Sequence, residues 1–454
     1  MVCMKNFIRI AAGQGFWGDR FDAPIQQIRG GPIDYLVMDY LAEVTMSILQ
    51  KQKMRDPQQG YARDIIPLME EILPEVVNKN IKVITNAGGV NPIACRQVLF
   101  ELALRMGFSH LKIGIVYGDD IMPDIDQLLS AGIELRHMDS HEPLEKVRSK
   151  LYSANVYFGA QPVVEALRQG AQIVITGRVT DTGLTLAPMI YEFNWSKRDY
   201  HKLAAGIVAG HLIECGAQVS GGNFLADWQN VPDMAHLGFP IIEAYPSGEF
   251  TITKHDGTGG LIDLRTVKEQ LVYELGNPRE YITPEVIADF TSIQLEQEAK
   301  NRVRVHGVKG KRPTPYYKVS ISYSDGWISV GKLTYAWPQA LEKAKKADQV
   351  IRQRIKDLKL KFNEIHTEFI GVNACHGPLS HPIPDPNEVV LHIGVRGSNL
   401  SQVEQFSREI TALVLCGPPT VTGFGSGRAR PKEVVAFWPA LLPKRFVQPV
   451  VDVQ

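Results

Sequence analysis

The sequence predicts an α/β protein: a parallel sheet with helices on both faces, plus a C-terminal α+β domain. Three observations lead there. Short apolar runs such as Ile8–Ala12, Lys82–Thr85 and Ile173–Ile175 alternate with helical patterns through the first half of the chain, which is the rhythm of strands joined by crossover helices. After Asp227 the rhythm changes to paired strands, Pro240–Tyr245 and Glu249–Thr253, around a Pro246-Ser247-Gly248 turn. Beyond Gly276-Asn277-Pro278, two groups of strands are each followed by a long helix, which argues for one sheet backed by two helices. We therefore expect domains at residues 1–276 and 277–454, and the total of 454 residues suits two domains.

Taken in order, strand Ile8–Ala12 runs into Gly13-x-Gly15-x-x-Gly18, and Asp39 ends the next apolar run, Tyr35–Met38. The pattern has the spacing of a dinucleotide fingerprint, but the bulky Phe16-Trp17 and the nearby Pro24 spoil the helix that motif needs. No tightly bound NAD or FAD is expected. Leu41–Lys53 and Tyr61–Lys79 have helical spacing, the latter with Pro67 and Pro74. Asn86–Pro92 is a strand-to-helix loop with Asn91 as cap and Pro92 at the first helical position. Leu111–Val116, Val156–Phe158 and Ile173–Ile175 complete the strand set, separated by helices near Met122–Ser130, Pro143–Tyr152 and Pro162–Gln169. Leu261–Leu275 reads as a helix. The C-terminal part reads as strand Arg302–Val308, hairpin Tyr317–Tyr323 with Trp327–Tyr335, helix Pro338–Leu358, strands Glu368–Val372 and Val389–Val395, helix Ser401–Leu415 and terminal strand Val434–Trp438.

Composition bounds the function. Lysine plus arginine equal aspartate plus glutamate at 49 each, so nothing points to nucleic acid or an anionic membrane surface. No stretch has the apolar length of a membrane span, and the N-terminus, with Lys5 and Arg9, does not read as a signal peptide. Five scattered cysteines without a CxxC pair fit a reducing cytoplasm.

The polar groups concentrate between Ala171 and Asp227. Arg178, Thr180 and Asp181 follow a buried strand, where α/β sheets bind ligands. Arg178 can hold a carboxylate or phosphate bidentately; alternatively it pairs with Asp181 and stiffens the loop. His211, Glu214 and Cys215 share one helix face. They suit acid–base work or, less simply, a metal; no four-ligand cluster is visible, so no stoichiometric zinc is expected. Gly221, Gly222 and Asn223, and His255 and Asp256 with the glycines after them, lie in loops whose amides can cradle an anion or else form tight turns. Asn86, Gly88 and Gly89, with Trp17, Asp19 and Arg20, sit after other strands in the same layer. The Gly423–Arg430 loop is glycine-rich and basic, either a phosphate clamp or a solvated loop.

The strings Gly177-Arg178-x-x-Asp181, Gly210-His211-Leu212-Ile213-Glu214-Cys215-Gly216-Ala217-Gln218 and Gly221-Gly222 resemble the acyclic terpene utilisation protein A (AtuA) family. Phe16-Trp17-Gly18-Asp19-Arg20, Tyr35-Leu36, Leu41-Ala42-Glu43-x-Thr45, Asn86-Ala87-Gly88-Gly89 and the His255–Gly260 loop extend the resemblance, from about Ile8 to about Leu360. That family takes its name from growth on citronellol and geraniol, whose catabolism runs through acyl-CoA thioesters. The resemblance implies a small-molecule substrate such as an acyl-CoA or branched carboxylate, and hydration, elimination or hydrolysis. Asp181, His211 and Glu214 would move protons, Arg178 and Thr180 would bind substrate, and Gly221-Gly222 would hold an oxyanion. The alternative is a non-catalytic ligand-binding subunit of a carboxylase-type complex. A homo-oligomer is expected. Arg178 and His211 are expected in one site, with Arg178→Ala and His211→Ala each abolishing function at near wild-type stability.

Overall fold

Strand β1 (Ile8–Gln14) leads into α1 (Asp22–Gly30), β2 (Tyr35–Met38), α2 (Glu43–Arg55), α3 (Ile65–Asn78), β3 (Lys82–Thr85), α4 (Pro92–Arg105) and β4 (Ile113–Tyr117) in the computed structural model, which describes residues 6–422 and 427–454. Then come α5 (Ile125–Ser130), β5 (Leu151–Val156), α6 (Gln161–Arg168), β6 (Ile173–Thr176), α7 (Asp181–Phe193) and α8 (Tyr200–Ile213). Strands β1, β2, β3, β6 and β4 lie side by side in that order, all parallel. They are apolar almost throughout because both faces are covered. Ala11, Leu36, Val83, Ile113 and Ile175 point into one core with Ile28 of α1, Leu68 of α3 and Leu99 of α4. Their alternates, such as Ile10, Tyr35 and Val37, are buried on the opposite face. There the Tyr35 hydroxyl donates to Glu192 of α7 at 2.6 Å. Asn91 caps α4, accepting from the Ala94 amide, with Pro92 at its start, as expected.

The chain continues through β7 (Pro240–Ala244), β8 (Phe250–Lys254), α9 (Leu264–Val272), β9 (Tyr281–Ile282), β10 (Ile287–Asp289), β11 (Gln294–Ala299), β12 (Arg302–His306) and β13 (Lys309–Lys311). It ends with β14 (Tyr316–Ala336), α10 (Ala340–Asp357), β15 (Glu364–Ile370), β16 (Glu388–Gly397), α11 (Leu400–Cys416), β17 (Val421–Thr422), β18 (Lys432–Pro443) and β19 (Val450–Val453). The large sheet is mixed, so the parallel sheet expected is only its central part. β7, β8, β12 and β11 continue it antiparallel beyond β1, and β19 closes the other edge antiparallel to β4. The turn of a hairpin such as β7–β8 makes its two strands antiparallel to each other, so a sheet that holds both is mixed.

Two compact units result: residues 1–322 with 437–454, and residues 323–436. The boundary expected at 276/277 falls inside the first unit, because β11, β12 and β19 all join its sheet. In the second unit, sheet β15-β16-β14-β17 is backed by α10 and α11. Val389, Leu391, Ile393 and Val395 alternate inward, against Ala340, Ala344, Ala347 and Ile351 at helical spacing.

Three local expectations fail. Residues 143–152 form short 3-10 turns at Leu144–Lys146 and Arg148–Lys150, since only Leu144 and Val147 among them are buried and no apolar stripe supports a helix. The strand expected at Val156–Phe158 lies earlier, as β5 (Leu151–Val156), and pairs with β14 instead of joining the parallel set; Phe158 keeps only an isolated bridge to Val179. The hairpin expected within 317–335 is the single strand β14: Trp327–Ala336 pair with β16, and Gly326 at φ 84° interrupts the extended backbone without reversing it.

Candidate functional site

α4 leaves β3 toward one face of the sheet and α7 leaves β6 toward the other, while β3 and β6 are neighbours. Outside the carboxyl ends of two such strands a crevice opens. The Asn86–Asn91 and Gly177–Thr180 loops border it. They approach so closely that a Cβ on Gly88 would stand 2.6 Å from the Thr176 carbonyl oxygen.

Arg178 is buried there, with 2% of its surface exposed. Nη1 donates to the Leu41 carbonyl at 2.8 Å and Nη2 to Asp181 Oδ1 at 2.9 Å. The guanidinium stacks over the Tyr157 ring at 4.2 Å. Its backbone amide donates to Asp119 Oδ2 at 3.1 Å, and burial pushes that carboxyl up to about 6. Asp39, one residue past β2, accepts from Asn86 Nδ2 at 2.6 Å and the Leu41 amide at 3.1 Å. Asn86 in turn accepts from the Tyr40 amide at 2.7 Å, which orients it. Burial, and then the charge of Asp181, hold the Asp39 carboxyl well above the usual range, although Arg178 and Asn86 pull it down.

Helices α7 and α8 form a hairpin whose close contact depends on Gly210: a Cβ there would lie 2.6 Å from Thr182 Cα. This contact brings His211, in the last turn of α8, and Glu214, just past it, beside the start of α7. His211 Nδ1 lies 3.1 Å from Glu214 Oε1, and Nε2 lies 3.1 Å from the Gln270 carbonyl oxygen. Tyr281 and Phe290 meet the imidazole edge-on at 5.7 and 5.3 Å. Burial works against a charged imidazole, yet the bonds to Glu214 and Gln270 raise its pKa overall. Burial also raises Glu214, helped by Asp181 and opposed by His211. Between the two carboxylate groups lies a cavity of about 10 Å³, lined by Gln14, Asp39, Asp181, Thr185 and Glu214 among others. That is about the space of one water. Contacts therefore run from Arg178 through Asp181 and the cavity to Glu214 and His211.

Residues 8–453 match the model of the acyclic terpene utilisation family protein AtuA. The chain belongs to that family. No curated protein matches it. Among solved structures, an amidase of the hydantoinase/carbamoylase family from Burkholderia phymatum is similar over 24% of this chain and 31% of that one, at 17% identity and a TM-score of 0.16. A likeness that small carries no argument.

The geometry sorts the residues singled out in this AtuA-family sequence. Asp181, Glu214, His211, Arg178 and Asn86 come together, and Gly88 and Gly89 form the loop behind Asn86. Arg178 does not stand open to an anion: two of its three nitrogens are engaged, and only Nε is buried without a partner among the described residues. Thr180 occupies the N-cap position of α7, but its hydroxyl makes no cap bond. Asp19 sits close by, accepting from the Gly15 amide at 2.9 Å, and Gly15 abuts the Glu214–Gly216 backbone.

Other members lie apart or are otherwise engaged. The Gly221 and Gly222 amides, expected to hold an oxyanion, donate to the Gln218 and Ala217 carbonyls at 3.1 Å each, and Asn223 is exposed. The Gly259 and Gly260 amides are likewise taken, by His236 and Pro232. His255 Nε2 lies 3.0 Å from the Gln27 carbonyl oxygen with its ring against Gly30, and Asp256 is exposed. Trp17 donates to Asp64, and Arg20 pairs with Asp22. Cys215 does not join His211 and Glu214 as a ligand: among the described residues no group of three or more His, Cys, Asp or Glu could hold a metal ion. Burial pushes its thiol up to about 12. Of the Gly423–Arg430 loop, residues 423–426 lie outside the described residues.

Asp39, Asp119, Tyr157 and Gln270 were not foreseen as members. Asp39 carries one sequence signal, a carboxylate at a strand's carboxyl end, but its distance from Gly18 matches the glycine fingerprint and hides that signal.

Proposed function

We propose that the chain is an enzyme that moves protons on an acyl-CoA or a branched carboxylate, by hydration, elimination or hydrolysis. One observation carries this reading: Asp39, Asp181 and Glu214 share a single water-sized cavity at the carboxyl ends of the parallel strands. Two of these carboxyls are raised by burial. A protonated carboxyl next to an ionised one supplies an acid and a base in one enclosure. In a hydration, the base takes a proton from the water while the acid delivers one to the substrate; elimination runs the same steps backwards. Arg178 would hold Asp181 in place instead of binding the substrate. His211 would do the same for Glu214.

The test is turnover on a panel of branched, saturated and unsaturated CoA thioesters and their free acids, followed by mass spectrometry. Asp39→Asn and Glu214→Gln should each lower turnover by roughly 10²–10⁴-fold while the protein stays folded. Full activity in both variants would overturn the assignment. The cavity is too small for an acyl group, and this favours a second reading, a subunit that binds and presents such a ligand. Tight thioester binding with no turnover across the panel would establish it.

A further inference from the structure

The second unit holds a groove of about 1510 Å³ between β14 and α11. Its apolar wall includes Ile328, Val330, Ile410 and Leu415. Leu415 is 93% exposed and Ile328 36%, so this apolar surface lacks a cover among the described residues. Four cations stand along the groove, Lys332, Arg428, Arg430 and Lys432, and no aspartate or glutamate lines it among the described residues. None of the four makes an ion pair among the described residues, although the chain as a whole carries equal numbers of acidic and basic groups.

We propose that this groove binds an anionic amphiphile: an acyl or prenyl chain joined to a head bearing two or more phosphates. A single carboxylate would meet only one of four cations. A polyphosphate head matches several, and guanidinium groups take phosphate oxygens bidentately. The chain would cover Leu415 and Ile328, and this is the part of the wall that burial would stabilise. The inference stands on the groove alone and does not depend on the carboxylate cluster of the first unit.

Cys416 gives a direct readout, because it lines the groove and is a free, exposed thiol, whereas Cys375 is free and exposed but does not line it. The full chain is titrated with palmitoyl-coenzyme A and with geranyl diphosphate, and thiol alkylation is followed peptide by peptide. With ligand at about ten times Kd, alkylation of Cys416 should slow roughly tenfold, since only the free protein reacts, while Cys375 is unchanged. The double variant Arg428→Ala/Arg430→Ala should weaken binding roughly tenfold, and added salt should weaken it further. The tighter of the two probes identifies the head group. Free coenzyme A, pyrophosphate and decanoate should each bind more weakly than the probes that combine head and chain. Absence of binding by both probes would overturn the proposal, as would unchanged affinity in the double variant or unprotected Cys416. Binding seen only on anionic phosphatidylserine vesicles would overturn it in favour of a membrane surface. Concentration-dependent protection of Cys416 without ligand would overturn it in favour of a second copy of the chain.

Discussion

His211 and Glu214 are joined by a 3.1 Å contact from Nδ1 to Oε1, while the other ring nitrogen of His211 faces the Gln270 carbonyl at 3.1 Å. The Gln270 carbonyl can only accept, so Nε2 carries a proton, and an ionised Glu214 calls for a second proton on Nδ1. Nitrogen-15 NMR should show the imidazole titrating above the usual histidine value. A pKa raised in the folded state contributes stability that is full below the unfolded value, about 6.5, and is lost as pH rises through the folded one. His211→Gln should remove that pH dependence and cost about 1–3 kcal/mol for the partner left unsatisfied.

Arg178 behaves differently from a surface anchor. Its burial and its bonds to Leu41 and Asp181 mean that Arg178→Ala leaves a buried carbonyl and a carboxylate without their donor. Urea denaturation should show a loss of about 3–5 kcal/mol. This replaces the expectation that the variant keeps near wild-type stability. Arg178→Lys, which retains the charge but not the fork, should fall between the two.

Asp39→Asn should separate stability from chemistry. The asparagine can still accept from Asn86 and the Leu41 amide, and it cannot ionise in this buried place beside Asp181. The melting temperature should hold or rise. Turnover should fall by roughly 10²–10⁴-fold, and adding Glu214→Gln should lower it little further, since groups acting as one unit are non-additive.

Asp119 provides a pH test of the crevice wall. Its carboxyl titrates near 6 in the folded chain against an ordinary value of 3.8. The folded state binds the extra proton, so stability falls as pH rises from about 4 to about 6. Asp119→Asn lacks this penalty. The variant should gain on the wild type by about 3 kcal/mol across that window, read as the difference between their denaturation free energies at pH 4 and pH 7. A constant difference would mean that Asp119 titrates normally.

By itself the sequence determined whatever depends on near neighbours along the chain. Short apolar runs marked β1, β3 and β6, Asn91 and Pro92 set the start of α4, and helical spacing placed α10 and α11. The same short range placed Arg178 with Asp181, and His211 with Glu214, three residues apart in each case. Tertiary structure decided what depends on distant partners. The pairing of β7 with β1 and of β19 with β4, both antiparallel, joins segments far apart in the chain, and no local pattern encodes it. Whether the Gly259 and Gly260 amides were available turned on the His236 and Pro232 carbonyls, which come from a separate stretch of the chain. Asp39 became a member of the cluster because parallel pairing of β2 with β3 sets it beside Asn86, 47 positions further along the chain. A buried carboxylate takes its chemistry from the low-dielectric surroundings and from charges that other strands bring within a few ångströms, and those are fixed only once the chain has closed around it.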